Sequence, residues 1–241
     1  MPKISSIGSY TSGKNAFAGL TVDIDMPNLT SLYENNVFDD AIVGEFNISQ
    51  LKVLGSSNFN RTRCERLDLL ELTSVYDRAF ANSQIRDIHI PKLSAFSRGC
   101  FTNCSRLVSV DFNQITAIGE YALSGCTNLN LIDLHIPLLT SVNKYIFADS
   151  GIKSLDIPMV STLTNGCLAD CRQLTTLNVP ALTGIDNYAL SGCTAIRTLN
   201  LPNVTRIGQY GIADCTSLNQ FHAPELTSIQ SYTFASCDSL T

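Results

Sequence analysis

Asp25, Asn47, Asp68, His89, Asp111, His135, Asp156, Asn178, Asn200 and His222 recur at intervals of 21 to 24 residues, and this line contains all three histidines of the chain. Carboxylates, carboxamides and imidazoles accept hydrogen bonds, donate a few, move protons or bind a cation. Two residues ahead of each member runs a second line, Asp23, Glu45, Arg66, Asp87, Ser109, Asp133, Ser154, Thr176, Thr198 and Gln220, acidic toward the N-terminus and neutral farther on. Repetition of this kind offers the same small set of groups many times over. An enzyme needs a few unlike groups brought together, and the chain carries no G-x-S-x-G, phosphate loop, H-E-x-x-H or dinucleotide fingerprint. An open row of Asp and His neither excludes water nor sets an acid apart from a base. No catalytic residue is expected, and hydrolysis through the Asp/His line is the reading set aside.

Three columns of residues must position that line. Phe17, Phe38, Phe59, Phe80, Phe101, Leu123, Phe147, Leu168, Leu190, Ile212 and Phe234 fall 21 to 24 residues apart. A second column reads apolar, small polar, any, apolar, as in "LTSL" at Leu29, "LTSV" at Leu72 and "LTGI" at Leu182. A third reads apolar, polar, apolar, then most often Pro, as in "IHIP" ending at Pro91, "LDIP" at Pro158 and "LNLP" at Pro202. Its alternation is the period of a strand with one face buried, and Pro, which has no N–H, ends the strand. The polar residue inside each triplet is the Asp, Asn or His of the first line, so it points out of the sheet. One such unit cannot bury its apolar side alone, whereas stacked units join their columns into a continuous core. A repeat solenoid is the predicted architecture.

The unit L-T-x-I-x-x-Y-A-F-x-x-C-x-x-L-x-x-L-x-L-P-x resembles the BspA-like leucine-rich repeat, most clearly over Leu182 to Asn203 and Val204 to Glu225. The resemblance implies a right-handed arc with a parallel β-sheet on the concave face and short turns, 3-10 or short strand segments on the convex side. It also implies an extracellular or cell-surface location and a binding role. Residues 1–241 are read as one domain of about eleven units of 21–24 residues, with an irregular N-terminal unit at 1–16 and a last unit truncated at 241. Ser49, Leu70 and Asn113 stand where Pro is usual, and the unit at Leu129 to Pro137 is two residues longer, which puts local strand geometry in question there.

The nine cysteines mostly obey the repeat: Cys104, Cys126, Cys171, Cys193, Cys215 and Cys237 share a column in which Ser83 and Ser150 substitute. Buried free thiols are expected, because parallel side-chain vectors disfavour pairing between neighbouring units. The C-x-x-x-C spacing of Cys100/Cys104 and Cys167/Cys171 lacks further Cys or His to complete a zinc set, so no metal and no cofactor are expected. Cys64 is read as core. Tyr10, Tyr121, Tyr145, Tyr188, Tyr210 and Tyr232 form a stripe interrupted at Gly99 and Gly166, read as edge packing over a turn.

A net charge of -5 leaves no basic track for a phosphate backbone, so nucleic acid is not expected as a partner. No apolar run reaches the roughly 20 residues of a membrane span, and no signal peptide is visible. Because the last unit ends where another strand should start, the chain is expected to be part of a longer protein or assembly.

Strands are normally poor in Asp and Asn, so a line made only of Asp, Asn and His is not what strand propensity selects. The ligand-binding track is therefore placed on the concave face at Asp68, Asp87, His89, Asp111, Asp133, His135, Asp156, Asn178, Asn200 and His222, facing a protein or glycan partner. Simple solvation of a polar face is the competing reading, and a cation bridging Asp87, His89 and Asp111 a weaker one. The function expected is a non-catalytic binding or adhesion module, with a structural spacer in a larger surface or virion assembly as the alternative.

Overall fold

The computed structural model describes residues 3–4, 17–129 and 134–240. Within them the chain winds as a solenoid of about nine turns whose strands all pair in parallel, and no helix is present among the described residues. Tyr10, Asp133 and most of the N-terminal unit lie outside the described residues, apart from the strand Lys3–Ile4, which pairs with Thr21–Asp25.

Most turns supply two strands, the exceptions being the triplet at 109–111 and the segment at 139–142, which form none. The triplets form the longer ones, Thr21–Asp25, Ile42–Asn47, Arg66–Asp68, Asp87–His89, Leu134–His135, Ser154–Asp156, Thr176–Asn178, Thr198–Asn200 and Gln220–His222. The "LTSL" column forms two-residue strands that stack as a second strip, for example Thr162–Leu163, Gly184–Ile185, Arg206–Ile207 and Ser228–Ile229. Alternation sets the burial: in Arg66–Asp68 the central Leu67 is 1% exposed while its neighbours face solvent. The strip of longer strands is interrupted in three places, after Ile42–Asn47, after Asp87–His89 and after Thr176–Asn178, and at the second of these only an isolated bridge joins Asp87 to Ser109. This second break falls in the unit whose Pro is replaced by Asn113.

Between the two strips every turn makes a tight bend built on two left-handed residues four apart. Arg78 and Asn82, Tyr188 and Gly192, and Tyr210 and Asp214 are examples, with φ from 54° to 76°. The residue midway between them is the Phe-column member, which points into the core. Backbone bonds run from one bend to the next at alternate residues, as in Arg78 N to Arg98 O at 2.9 Å, Phe80 N to Cys100 O at 2.9 Å and Asn82 N to Thr102 O at 2.7 Å. The bends are thereby hydrogen-bonded along the solenoid axis much as the strands are, which satisfies backbone groups that would otherwise be buried without a partner.

One core runs the length of the stack. Phe17, Phe38, Phe59, Phe80 and Phe101 stack face to face with centroids 5.1 to 5.7 Å apart. Phe96 meets Phe101 edge-on at 5.3 Å and closes that column from the second strip. Beyond Phe101 the column is mostly aliphatic, with Leu123, Leu168, Leu190 and Ile212 all at most 1% exposed, and returns to phenylalanine at Phe147 and Phe234.

The cysteine column has a specific task. Each thiol donates to the carbonyl of the Phe-column residue one turn earlier: Cys104 to Phe80 O at 3.0 Å, Cys126 to Phe101 O at 3.1 Å, Cys171 to Phe147 O at 3.0 Å and Cys193 to Leu168 O at 3.3 Å. Thr62 stands in the same column and donates to Phe38 O at 2.7 Å. The column holds short side chains with one donor, Thr62 replacing the thiol on its carbonyl and Ser83 and Ser150 lying against the Cys104 and Cys171 thiols at 3.3 and 3.5 Å. All nine cysteines are free thiols, eight of them buried. Burial pushes the Cys64, Cys171 and Cys215 thiols up to about 12 and Cys104 to about 11. It raises Cys100, Cys126, Cys167 and Cys193 as well, so all of these remain protonated at neutral pH.

Candidate binding face

The outward residues of the longer strands are brought into lateral register. Asp68 faces His89, His135 faces Asp156, Asp156 faces Asn178, and Asn200 faces His222. Their sheet segments are separate, so the line consists of short runs. The predicted track residues within the described chain are exposed or half-buried, and Asp133 lies outside it.

From Asp25 to Asn178 the line alternates acid and donor without exception: Asp25, Asn47, Asp68, His89, Asp111, His135, Asp156, Asn178. The fold turns that alternation into hydrogen bonds. Asn47 Nδ2 donates to Asp25 Oδ1 at 2.7 Å. His89 Nδ1 lies 2.7 Å from Asp111 Oδ2, and His135 Nδ1 lies 2.6 Å from Asp156 Oδ2. Asn178 Nδ2 reaches the other oxygen of Asp156 at 2.8 Å. Arg66, in its own strand, binds Asp68 with Nε and NH2 at 3.0 Å. That hydrogen bond raises the pKa of the guanidinium further, so Arg66 is a fixed cation. Carboxylates on neighbouring strands at about 4.8 Å would repel. Here a donor stands between each pair.

Asp111 carries a second load. In five other turns the residue after the track member donates its backbone N–H to the next turn's backbone carbonyl: Met26, Leu69, Ile136, Ile157 and Leu201, with Leu69 reaching His89 O at 2.9 Å. At the break after Asp87–His89, Ile90 N donates to the Asp111 side chain instead, at 2.7 Å. One carboxylate oxygen thus replaces a missing ladder bond and holds His89 as well. The companion line is bonded in the same manner, Ser109 Oγ donating to Asp87 Oδ1 at 2.7 Å.

Because Nδ1 of both His89 and His135 faces a carboxylate, it carries the ring hydrogen, and in the neutral ring Nε2 is left as an acceptor. Around His89 the two lines enclose a shallow depression of about 270 Å³ lined by Arg66, Asp68, Asp87, His89, Ser109 and Asp111. It presents a guanidinium, an imidazole and three carboxylates within one patch. A divalent ion there would compete with donors already on Asp87 and Asp111, and among the described residues no three His, Cys, Asp or Glu side chains converge as a metal site requires. No described helix is long and apolar enough to cross a membrane.

The triplet spacing located these residues, but three arginines in the bends, Arg61, Arg78 and Arg98, were not singled out. Arg61 sits in the column Gly19, Asp40, Arg61, Asn82, Asn103, Gly125, Asp149, Asp170, Gly192 and Asp214, and Arg78 in the column Asn36, Ser57, Arg78, Gly99, Tyr121 and Tyr145; an arginine among residues that tolerate positive φ is the signal the sequence offers for both.

A family model described as "BspA type Leucine rich repeat region (6 copies)" matches residues 3–108, 52–175 and 95–219. A comparison with curated protein sequences gave no match. Among solved structures, a leucine-rich repeat protein from Bacteroides ovatus is 18% identical over 100% of this chain and 85% of its own, with a TM-score of 0.49. A leucine rich cell surface protein from Faecalibacterium prausnitzii is 15% identical over 92% of this chain and 77% of its own, with a TM-score of 0.49. A leucine-rich repeat protein from Eubacterium ventriosum is 16% identical over 91% of this chain and 77% of its own, with a TM-score of 0.47.

Proposed function

The chain belongs to the BspA-type leucine-rich repeat family, and on that premise we propose that it is a non-catalytic binding module, working at a cell surface or outside the cell, that engages a protein or glycan through the outward face of its longer strands. The observation that carries this reading is the alternating row of exposed Asp, Asn and His around His89. It offers acceptors at fixed spacing, two imidazole Nε2 atoms and one guanidinium on a rigid lattice. A partner rich in hydroxyls, amides or basic side chains meets complementary groups along several turns. The patch is open to water, which suits recognition more than proton-transfer chemistry.

The spacer reading has its own support. Because Asp25, Asp111 and Asp156 are each bonded within the row, the row is stable without a partner. Glycan and protein arrays probed with the chain separate the two readings: selective binding that weakens with added salt supports the module, and a blank on both arrays supports the spacer.

A further inference from the structure

Away from the proposed binding face, the bends of consecutive turns enclose a second depression of about 570 Å³, lined by Asn60, Arg61, Arg78, Asn82, Arg98, Gly99, Thr102, Asn103 and Tyr121 among others. That volume lies within the range of small-molecule sites. On a chain with 21 acidic and 16 basic residues, the lining holds three arginines and no carboxylate. Arg61 is paired with the buried Asp39 at 2.9 Å, and Arg98 stands 3.8 Å from Glu120. Arg78 is exposed and has no carboxylate within 4 Å among the described residues, so its guanidinium is the cation left for a ligand.

Two further features mark this groove off from the other bends. Among the described residues the left-handed positions are filled by Gly, Asn, Asp, Ser or Tyr, except at Arg61 and Arg78, and both of these arginines line the groove. Arg gains nothing locally from that conformation, which Asn and Asp occupy through their own short-range hydrogen bonds. Moreover, Gly99 stands where the following bends carry Tyr121 and Tyr145, and a Cβ there would lie 3.2 Å from Arg78 Cγ. The groove exists because that ring is missing. Tyr121, stacked on Tyr145 at 5.1 Å, then forms its end wall. Along its floor Asn82 donates to Asn60 at 2.8 Å and Asn103 to Asn82 at 3.2 Å, each using one amide N–H and leaving the second.

We propose that this groove is a second binding site, separate from the strand face, for an acidic saccharide. Arg78 pairs with the carboxylate or sulfate, the asparagine amides bond the ring hydroxyls, and Tyr121 provides the apolar wall a sugar ring packs against. An acidic peptide would satisfy Arg78 and its carbonyls would accept from the amide row, but a glutamate-rich chain has no ring face to pack on Tyr121.

The test is titration calorimetry of the chain with a sulfated heparin-derived disaccharide, a glucuronate-containing disaccharide, an uncharged disaccharide and a glutamate-rich peptide. Binding of one or both acidic disaccharides is expected, the two arms showing whether sulfate or carboxylate is preferred, with the uncharged sugar and the peptide at least about tenfold weaker. Arg78→Ala should weaken binding by about tenfold or more, the loss of a charged hydrogen-bonding partner. Gly99→Tyr, a residue that neighbouring bends hold at the same φ, should fill the groove and abolish binding while leaving the melting temperature in place. The proposal is overturned if neither acidic disaccharide binds, if the peptide binds as tightly, or if binding survives both substitutions.

Discussion

His135 and Asp156 stand on adjacent parallel strands with Nδ1 and Oδ2 2.6 Å apart, in a pair that solvent reaches from one side. His89 and Asp111 repeat the contact at 2.7 Å, yet the two pairs differ in what lies behind them. Asp156 meets only side chains through its carboxylate, whereas Asp111 also accepts the backbone N–H of Ile90. The same two residue types thus contribute little to the fold in one turn and close a gap in the ladder in another.

That difference is measurable. Asp156→Ala should lower unfolding free energy by less than about 1 kcal/mol, as for other exposed pairs. Asp111→Ala strands a partly buried N–H and should lower it by about 1–3 kcal/mol. Urea titrations of the two variants provide the comparison, and equal losses would contradict the role assigned to Asp111.

The phenylalanine column predicts a graded response. Phe80 is fully buried between Phe59 and Phe101, so Phe80→Ala should cost about 3–5 kcal/mol. Phe80→Leu should cost less than half as much, because Leu123 and Leu168 already fill the equivalent place elsewhere in the column. Denaturant midpoints of the two variants check the ratio.

Thiol chemistry follows from burial. In the native state Cys237 should react first with iodoacetamide, being the cysteine that is only half-buried, and all nine should react in denaturant. The raised thiols also set a direction for pH. Unfolded cysteines lose their proton above about pH 8.5 while the native ones hold theirs, so each buried thiol lowers stability by up to about 1.4 kcal/mol per pH unit from there upward. Stability is therefore full below that pH and falls as pH approaches the 11 to 12 of Cys104, Cys64, Cys171 and Cys215. Thermal melts at pH 7.5, 9 and 10 should show a steep decline, less steep in a chain with Cys171 and Cys215 replaced by Ser.

The donor role of the cysteine column gives a companion test. Cys193→Ser keeps a donor for Leu168 O, as the Thr62 hydroxyl is for Phe38 O, and should be tolerated. Cys193→Ala removes it and should cost about 0.5–1.5 kcal/mol more than the serine variant. Melting temperatures of the pair report the difference.

The columns of Phe, "LTSL" and "IxIP" made the solenoid, its strands and its core legible in the sequence, because burial in a stacked repeat is set by period alone. The outward line was legible for the same reason. Its pairing was not: whether His89 turns to Asp68 or Asp111 depends on rotamers and on the break at Ser109, which spacing does not encode. The bends were hidden differently. Tyr188 and Tyr210 occupy left-handed positions that residue preference would assign to Gly, Asn or Asp, and ring stacking between turns at 5.1 Å overrides that preference. Thr62 joins the cysteine column through the bond it makes to Phe38 O, which spacing alone does not display.

The central claim is that the strand face carries recognition, and one variant tests it most directly. Asp68→Ser, His89→Thr, His135→Thr and Asp156→Ser combined remove two of the three imidazoles of the row and two of its carboxylates while keeping Asp111 under Ile90. Affinity for the partner selected on arrays is then measured in the variant and in the unaltered chain. The account predicts a loss of at least about tenfold with the melting temperature held within a few degrees. Equal affinity in the two proteins would contradict it.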